Sequence, residues 1–500
     1  MFDLTKKQAG VLLIGLFLAV ASLRVYLALS VPSLTSGDAY HHLGQIESLQ
    51  SQSGSLFAND FSYRAPHFFL PGYQYILSFF SHGFSVLLVL KVVPNIFIAS
   101  LVFPMYLLIF LLSRVRHIAL TTSFGAAFVP ILWSTLNTAS PMTVTLPLIL
   151  WLIYAFFRIK EHAFQVLYFT CLLLLLIIHP SLFLILLGFL FYFVLLKTEK
   201  IGIIAADLEV ILFSLFLVVW AYMLLFKKLF LAHGIAFIWL NLPQQLISDI
   251  FARFSILEGI YTISLVPFFA GIFSVYYFIF RRNYPQVYLM IALSIITTLA
   301  IWFGFYPLQE GLMLLGLFLV LLASFSYTLL LNYAERIKYP YAYPLLSIAV
   351  LILIVFTSLV PSLQVAHANI EERISEEQVA TLTFLREQTH PSAIVFADIQ
   401  DGYLLSSLAQ RRNVIEPNFL LSLDASERYQ DMKRILSTLN PEEAYLLLDK
   451  YGVDYVYVSP SILFNPEAQI LKFDEYPKCF QLVYDKAYKI YYLACGVSDV

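Results

Sequence analysis

Asp38 and His42 lie four residues apart in the run Ser36-Gly37-Asp38-Ala39-Tyr40-His41-His42-Leu43. On a helix, that spacing sets a carboxylate and an imidazole on one face, a turn apart. Such a pair can hold a metal, orient a nucleophile or move a proton. The same run suits a plainer role, with Asp38 as the N-cap of an interfacial helix reaching about Leu49. His41, Glu47, Asp60, Arg64 and His67 belong to the same polar stretch, which ends at His82. A second polar stretch, 227–257, carries Asp249 and Arg253 and leads into Glu258. Arginine presents a planar fork that fits phosphate, so Arg64 and Arg253 are candidate anion ligands as well as ordinary loop charges. Glu258 can serve a site or simply favour the N-terminus of the helix it begins.

These groups need a frame, and the frame is apolar. Of 500 residues, 60% are hydrophobic and 12% charged, about half the charge of a soluble domain. That composition makes the chain a polytopic α-helical membrane protein. A helix takes about 20 apolar residues to cross a bilayer. Segments 9–31, 84–112, 118–136, 142–157, 164–179, 181–196, 203–226, 258–280, 285–303, 311–331 and 342–361 read as spans, about eleven in all. Lys6-Lys7 precede the first of them, whose apolar run is longer than a signal-peptide core and reads as an uncleaved anchor.

Loop charge sets the orientation. Arg114, Arg116, Arg158, Lys160, Lys197, Lys200, Arg281, Arg282, Arg336 and Lys338 fall on the N-terminal side, while the short opposite loops carry no Lys or Arg. The N-terminus is therefore expected in the cytoplasm, with loops 32–83 and 227–257 and everything after Pro361 outside. The net charge of −2 offers no basic field for nucleic acid. Embedded charge is sparse, with Asp207 and Glu209 at the start of one span, Lys91 within another and Glu310 at the outer end of a third, which argues against a pump or coupled transporter.

Two domains follow from this pattern, 1–361 in the membrane and 362–500 outside it. The second alternates helical runs (376–389, 403–409, 427–437, 442–451) with strand runs (393–397, 413–416, 454–459, 481–494), the pattern of a small α/β domain. Cys479 and Cys495 can pair in an oxidising compartment, whereas Cys171 lies in an apolar run.

The motifs, taken together, resemble a family. Gly37-Asp38-Ala39-Tyr40-His41-His42-Leu43 after a first span is similar to the Asp-x-Tyr/Trp-x-His-Leu motif of oligosaccharyltransferase catalytic subunits, members of the GT-C superfamily of polyprenyl-phosphate-dependent glycosyltransferases. Ser255-Ile256-Leu257-Glu258 resembles their Thr-Ile-x-Glu motif, and the segment through Asp401-Gly402-Tyr403 looks like the region of their Trp-Trp-Asp-Tyr-Gly acceptor motif. His179-Pro180-Ser181 and Tyr63-Arg64-Ala65-Pro66 are similar to sequences in the wider superfamily.

The resemblance implies a glycosyltransferase using a polyprenyl-phosphate or diphosphate sugar donor, with protein, glycan or lipid as acceptor. Asp38 would be base or metal ligand, His42 would orient it, and Glu258 would add a metal or acceptor contact. Arg64, Arg253 and His67 would hold the donor phosphate, and Asp401, Gly402 and Tyr403 would meet the acceptor. The implied metal is Mg2+ or Mn2+ on Asp38 and Glu258. A monomer among membrane lipids is expected, with no nucleic acid. Three positions depart from the pattern. Gly44 stands where an Arg is common, the loop 135–141 lacks an acid, and both Trp residues of the acceptor motif are missing. These departures count against transfer to protein Asn and favour a general sugar transferase, with transfer to Asn and a non-catalytic relative as the alternatives.

Overall fold

The structure is a computed structural model that describes residues 4–50, 70–227, 230–231, 234, 255–281, 284–337, 339, 341–371, 373–417, 424–463, 468–469 and 471–495. Each of the predicted spans contains helix. Lys6–Leu29, Val86–Ser113, Ser181–Thr198, Ala205–Leu225, Pro285–Trp302 and Leu308–Ala334 are long and apolar enough to cross a membrane, as is a seventh stretch beginning at Ala342. Met142–Phe157 and His162–Ile178 are shorter apolar helices. The chain is a multi-pass membrane protein.

Two spans are not the straight helices expected. Segment 118–136 divides into Arg116–Ala127 and Pro130–Trp133, because the residue before a proline leaves the helical region. Segment 258–280 divides into Ile256–Ile263 and Leu265–Arg281, bent by 97°. The break sits at Ser264, whose φ of 86° is in the left-handed region. Its hydroxyl bonds Ser358 at 2.7 Å, inside a π-helical turn of the last apolar stretch. Below the break, Gly271 lets its helix lie directly on Leu319, where a Cβ would come within 3.0 Å of the Leu319 carbonyl oxygen.

Arg24 is the cation that composition did not flag. It is buried in the first span and bound only to neutral groups: Asn95 Oδ1 at 3.0 Å, Leu132 O at 3.2 Å and Thr135 Oγ1 at 2.8 Å. It also lies 4.8 Å from the Trp133 ring centroid. Its fork thereby ties the first span to the turn 132–135.

The C-terminal domain holds a five-stranded sheet of order β2-β1-β3-β5-β4. The strands are β1 (Ile394–Phe396), β2 (Arg412–Asn413), β3 (Tyr455–Val458), β4 (Phe480–Asp485) and β5 (Lys489–Leu493). β1 pairs in parallel with β2 and β3, and β5 pairs antiparallel with β3 and β4. The expected strand 413–416 is shorter, because Ile415 and Glu416 turn away to pass over Gly402.

Cys479 and Cys495 form a disulfide with Cα atoms 4.6 Å apart. It closes a loop of sequence separation 16, and such a loop restricts the unfolded chain by about 3 kcal/mol. Cys479→Ser is expected to lower the unfolding midpoint of the C-terminal domain by that order, in proteolysis or hydrogen-exchange measurements. An unchanged midpoint would remove the disulfide from the domain's stability.

Candidate functional site

Asp38 lies in the first turn of helix Gly37–Gln50. The cap is not Asp38 but Ser36, whose hydroxyl accepts from the Ala39 amide at 3.2 Å. That frees the carboxylate, which makes no hydrogen bond or ion pair among the described residues. The helix start is held by the loop 135–141: Thr35 N donates to Asn137 O at 3.2 Å, and Thr35 Oγ1 to Leu136 O at 3.2 Å. Arg24 grips the same loop from below. The acid-free loop therefore acts as a fixed shelf under Asp38.

Asp38 is exposed, yet protein surrounds it closely enough that desolvation raises its carboxyl above the usual range. The Glu310 carboxylate raises it further. The carboxylate is thus accessible with protein packed around its base. On one side lies the C-terminal domain. Tyr403 stacks on His41 with ring centroids 4.2 Å apart. Its phenol is pushed well above normal by burial and by the charges of Glu416 and Asp38. The glycines in the Asp38 helix make this docking close. A Cβ on Gly37 would lie 3.6 Å from Tyr403 Cβ, and one on Gly44 would lie 3.6 Å from Ser407 Cβ.

His42 does not orient Asp38. Its Nδ1 lies 3.1 Å from the Gln74 amide, and its ring packs edge-on against Tyr73 at 5.2 Å. Burial holds the imidazole neutral, with its pKa lowered to about 4. Glu258 is exposed in the first turn of Ile256–Ile263. Arg64, His67 and Arg253 lie outside the described residues.

Asp401 turns inward, away from any acceptor. Its Oδ1 accepts from Gln378 Nε2 at 3.1 Å. Burial is the main cause that raises its carboxyl to about 6. Gly402 is structural, because a Cβ there would lie 2.6 Å from Ile415 O and 2.7 Å from Glu416 Cα. Of the three, Tyr403 packs against the Asp38 helix, through its stack on His41.

The Asp401 shift has a pH consequence. A folded-state pKa raised above the unfolded value gives stability that is present below the unfolded pKa and lost as pH rises through about 6. Keeping the charged form buried costs about 2–3 kcal/mol near neutral pH. Asp401→Asn is thus expected to stabilise the domain at about pH 7.5 and to have little effect at about pH 4. Equal effects at both pH values, read by hydrogen exchange over 376–388, would contradict the inward carboxyl.

No family model matches the sequence, and no curated protein matches it; the fold does find counterparts. The chain superposes on the oligosaccharyltransferase AglB from Archaeoglobus fulgidus, solved with an inhibitory peptide and a dolichol-phosphate, at a TM-score of 0.65 and 14% identity. The match covers 89% of this chain and 70% of that one. A second match is ArnT from Cupriavidus metallidurans bound to undecaprenyl phosphate, with a TM-score of 0.57 at 11% identity over 96% of this chain and 97% of that one. The chain shares the fold of these structures. A third, the arabinofuranosyltransferase AftD from Mycobacteria, aligns with 99% of this chain and 42% of its own, with a TM-score of 0.51 at 12% identity.

The Mg2+ or Mn2+ that the sequence resemblance implies can be tested against the donor set. Such a cation takes at least about six ligands, mostly oxygen. Among the described residues, no three His, Cys, Asp or Glu side chains converge to hold one. Those residues do not fit a metal site, and no step below runs through one.

Proposed function

We propose that this protein is a membrane glycosyltransferase that moves a sugar from a polyprenyl-(di)phosphate donor to a hydroxyl-bearing acceptor at the extracytoplasmic face. The exposed Asp38 carboxylate, unpaired among the described residues and beside the C-terminal domain, carries the reading, with the space around it taken as the substrate groove. The lipid phosphates bound to AglB and ArnT support the donor class.

Asp38 takes the proton of the acceptor hydroxyl. The acceptor oxygen bonds to the anomeric carbon from the opposite face as the carbon–oxygen bond to phosphate breaks. The electron pair leaves with the polyprenyl phosphate, which stays in the membrane. A carboxylate whose pKa is raised is a stronger base than a solvated one, which suits this task. Transfer to protein Asn is the second reading, supported by the AglB likeness and by Tyr403 at the groove wall.

The test is to supply the purified chain with polyprenyl-phosphate hexoses and to follow release of free polyprenyl phosphate together with a glycosylated product. Equal turnover by the wild-type chain and Asp38→Asn would rule the base assignment out. No turnover of any lipid-linked sugar would leave the non-catalytic reading in its place.

A further inference from the structure

Asp38 faces two neighbourhoods. One is the C-terminal domain, through Tyr403. The other is the ends of the membrane helices, where the structure joins the His179-Pro180-Ser181 motif to Tyr306 and Glu310 in one polar network. His179 Nε2 lies 3.5 Å from Glu310 Oε2. His179 Nδ1 meets the Ser181 hydroxyl at 2.5 Å, and that hydroxyl also bonds the Tyr306 hydroxyl. Glu310, His179, Ser181 and Tyr306 thus form an open ring, each linked to the next in that order. Tyr222 donates to the His179 carbonyl at 3.3 Å and fixes the turn from outside.

The ring comes from two short turns. Pro180 separates His162–Ile178 from Ser181–Thr198 and places His179 and Ser181 at the span ends. Tyr306 and Glu310 flank the start of Leu308–Ala334. The His179 side chain is 11% accessible, whereas that of Glu310 is 29% accessible. A carboxylate has about four lone-pair positions, and His179 occupies only part of those on Glu310. Glu310 is therefore held on one side and open on the other, and its neighbour Gln309 donates to Ser134 Oγ at 3.0 Å, beside the loop that holds the start of the Asp38 helix, so its charge raises the Asp38 carboxyl.

Resting on the transferase reading, we infer that Glu310 is the sugar-binding carboxylate of this groove and accepts hydrogen bonds from ring hydroxyls of the lipid-linked donor. A donor whose tail lies in the bilayer presents its sugar first at the span ends, where the whole ring sits. The acceptor then approaches from the Tyr403 side, and Asp38 stands between the two. Clamping Glu310 in advance reduces the ordering cost of binding a polyol. The paired charges of Asp38 and Glu310 also set the class: a neutral or amino sugar is accepted, and a uronic acid is repelled.

The test uses the full-length chain in detergent and reads binding by native mass spectrometry, without turnover. The probes are decaprenyl phosphate and decaprenyl-phosphate glucose. The wild-type chain is expected to prefer the glucose-bearing lipid by about tenfold, the scale of one charge-assisted hydrogen bond. Glu310→Gln brings the two affinities together and leaves that for decaprenyl phosphate unchanged. Glu310→Asp, which keeps the charge and shortens the reach, falls between them and serves if the glutamine variant fails to fold. A ring that only glues helices together would lower stability in these variants without changing the ratio. An unchanged ratio in both variants, or no preference in the wild-type chain, overturns the inference. Asp38→Asn keeps the preference, so loss of the transferase reading and loss of the sugar site give different results.

Discussion

Asp38→Asn is expected to cut sugar transfer by about 10²–10⁴-fold, the range for removing a positioned general base. The fold should be unaffected, because the side chain has no hydrogen-bond partner to lose among the described residues and Ser36 already caps the helix. Binding of the lipid-linked donor should also persist. The amide has the carboxylate's shape and lacks its basicity, so the loss belongs to kcat rather than KM. A variant that transfers at the wild-type rate moves the base elsewhere in the groove. A variant that fails to fold would show that the exposed carboxylate has a structural role that its geometry does not reveal.

Gly402→Ala is the second large effect, and it acts through the groove wall. The added Cβ would lie 2.6 Å from Ile415 O and 2.7 Å from Glu416 Cα. Both neighbours are backbone, so a rotamer change cannot relieve the contact. Overpacking of this kind costs about 1–3 kcal/mol. The Gly402 carbonyl also accepts from Asn413 Nδ2 at 2.7 Å, so a displaced segment loosens β2 as well. Tyr403 is the next residue, and its stack on His41 is part of the contact between the domains. Lower thermal stability and weaker transfer are expected together. Gly10→Ala is the matched control, since a Cβ there meets nothing within 4 Å, and alanine favours a helix. If the two variants melt alike, the close approach at Gly402 does not constrain the domain.

Much of this protein was decided by the sequence alone. Spans follow from runs of apolar residues, which need no partner to be recognised. The alternation of helix and strand periods after Pro361 is equally local, and so are the two cysteines flanking the last hairpin. The run around Asp38 stood out because a polar stretch follows a span, and position along the chain is enough to show that.

The partners of each group were decided by tertiary structure. His42 shares a helix face with Asp38 by spacing, but Tyr73 and Gln74 draw its ring the other way. Asp401 sits in the motif that suggested acceptor contact, and the packing of Gln378 against it turns it inward. The charge that Asp38 does feel, Glu310, comes from a turn far along the chain and looked like one more acid at a span end. Arg24 was hidden within an apolar run because composition averages a single charge away, and only the fold brings Asn95 and Thr135 to it. Local patterns report how each residue meets water or lipid. The side chains that meet in the groove come from helices separated by long stretches of sequence, and the packing of those helices decides which of them touch.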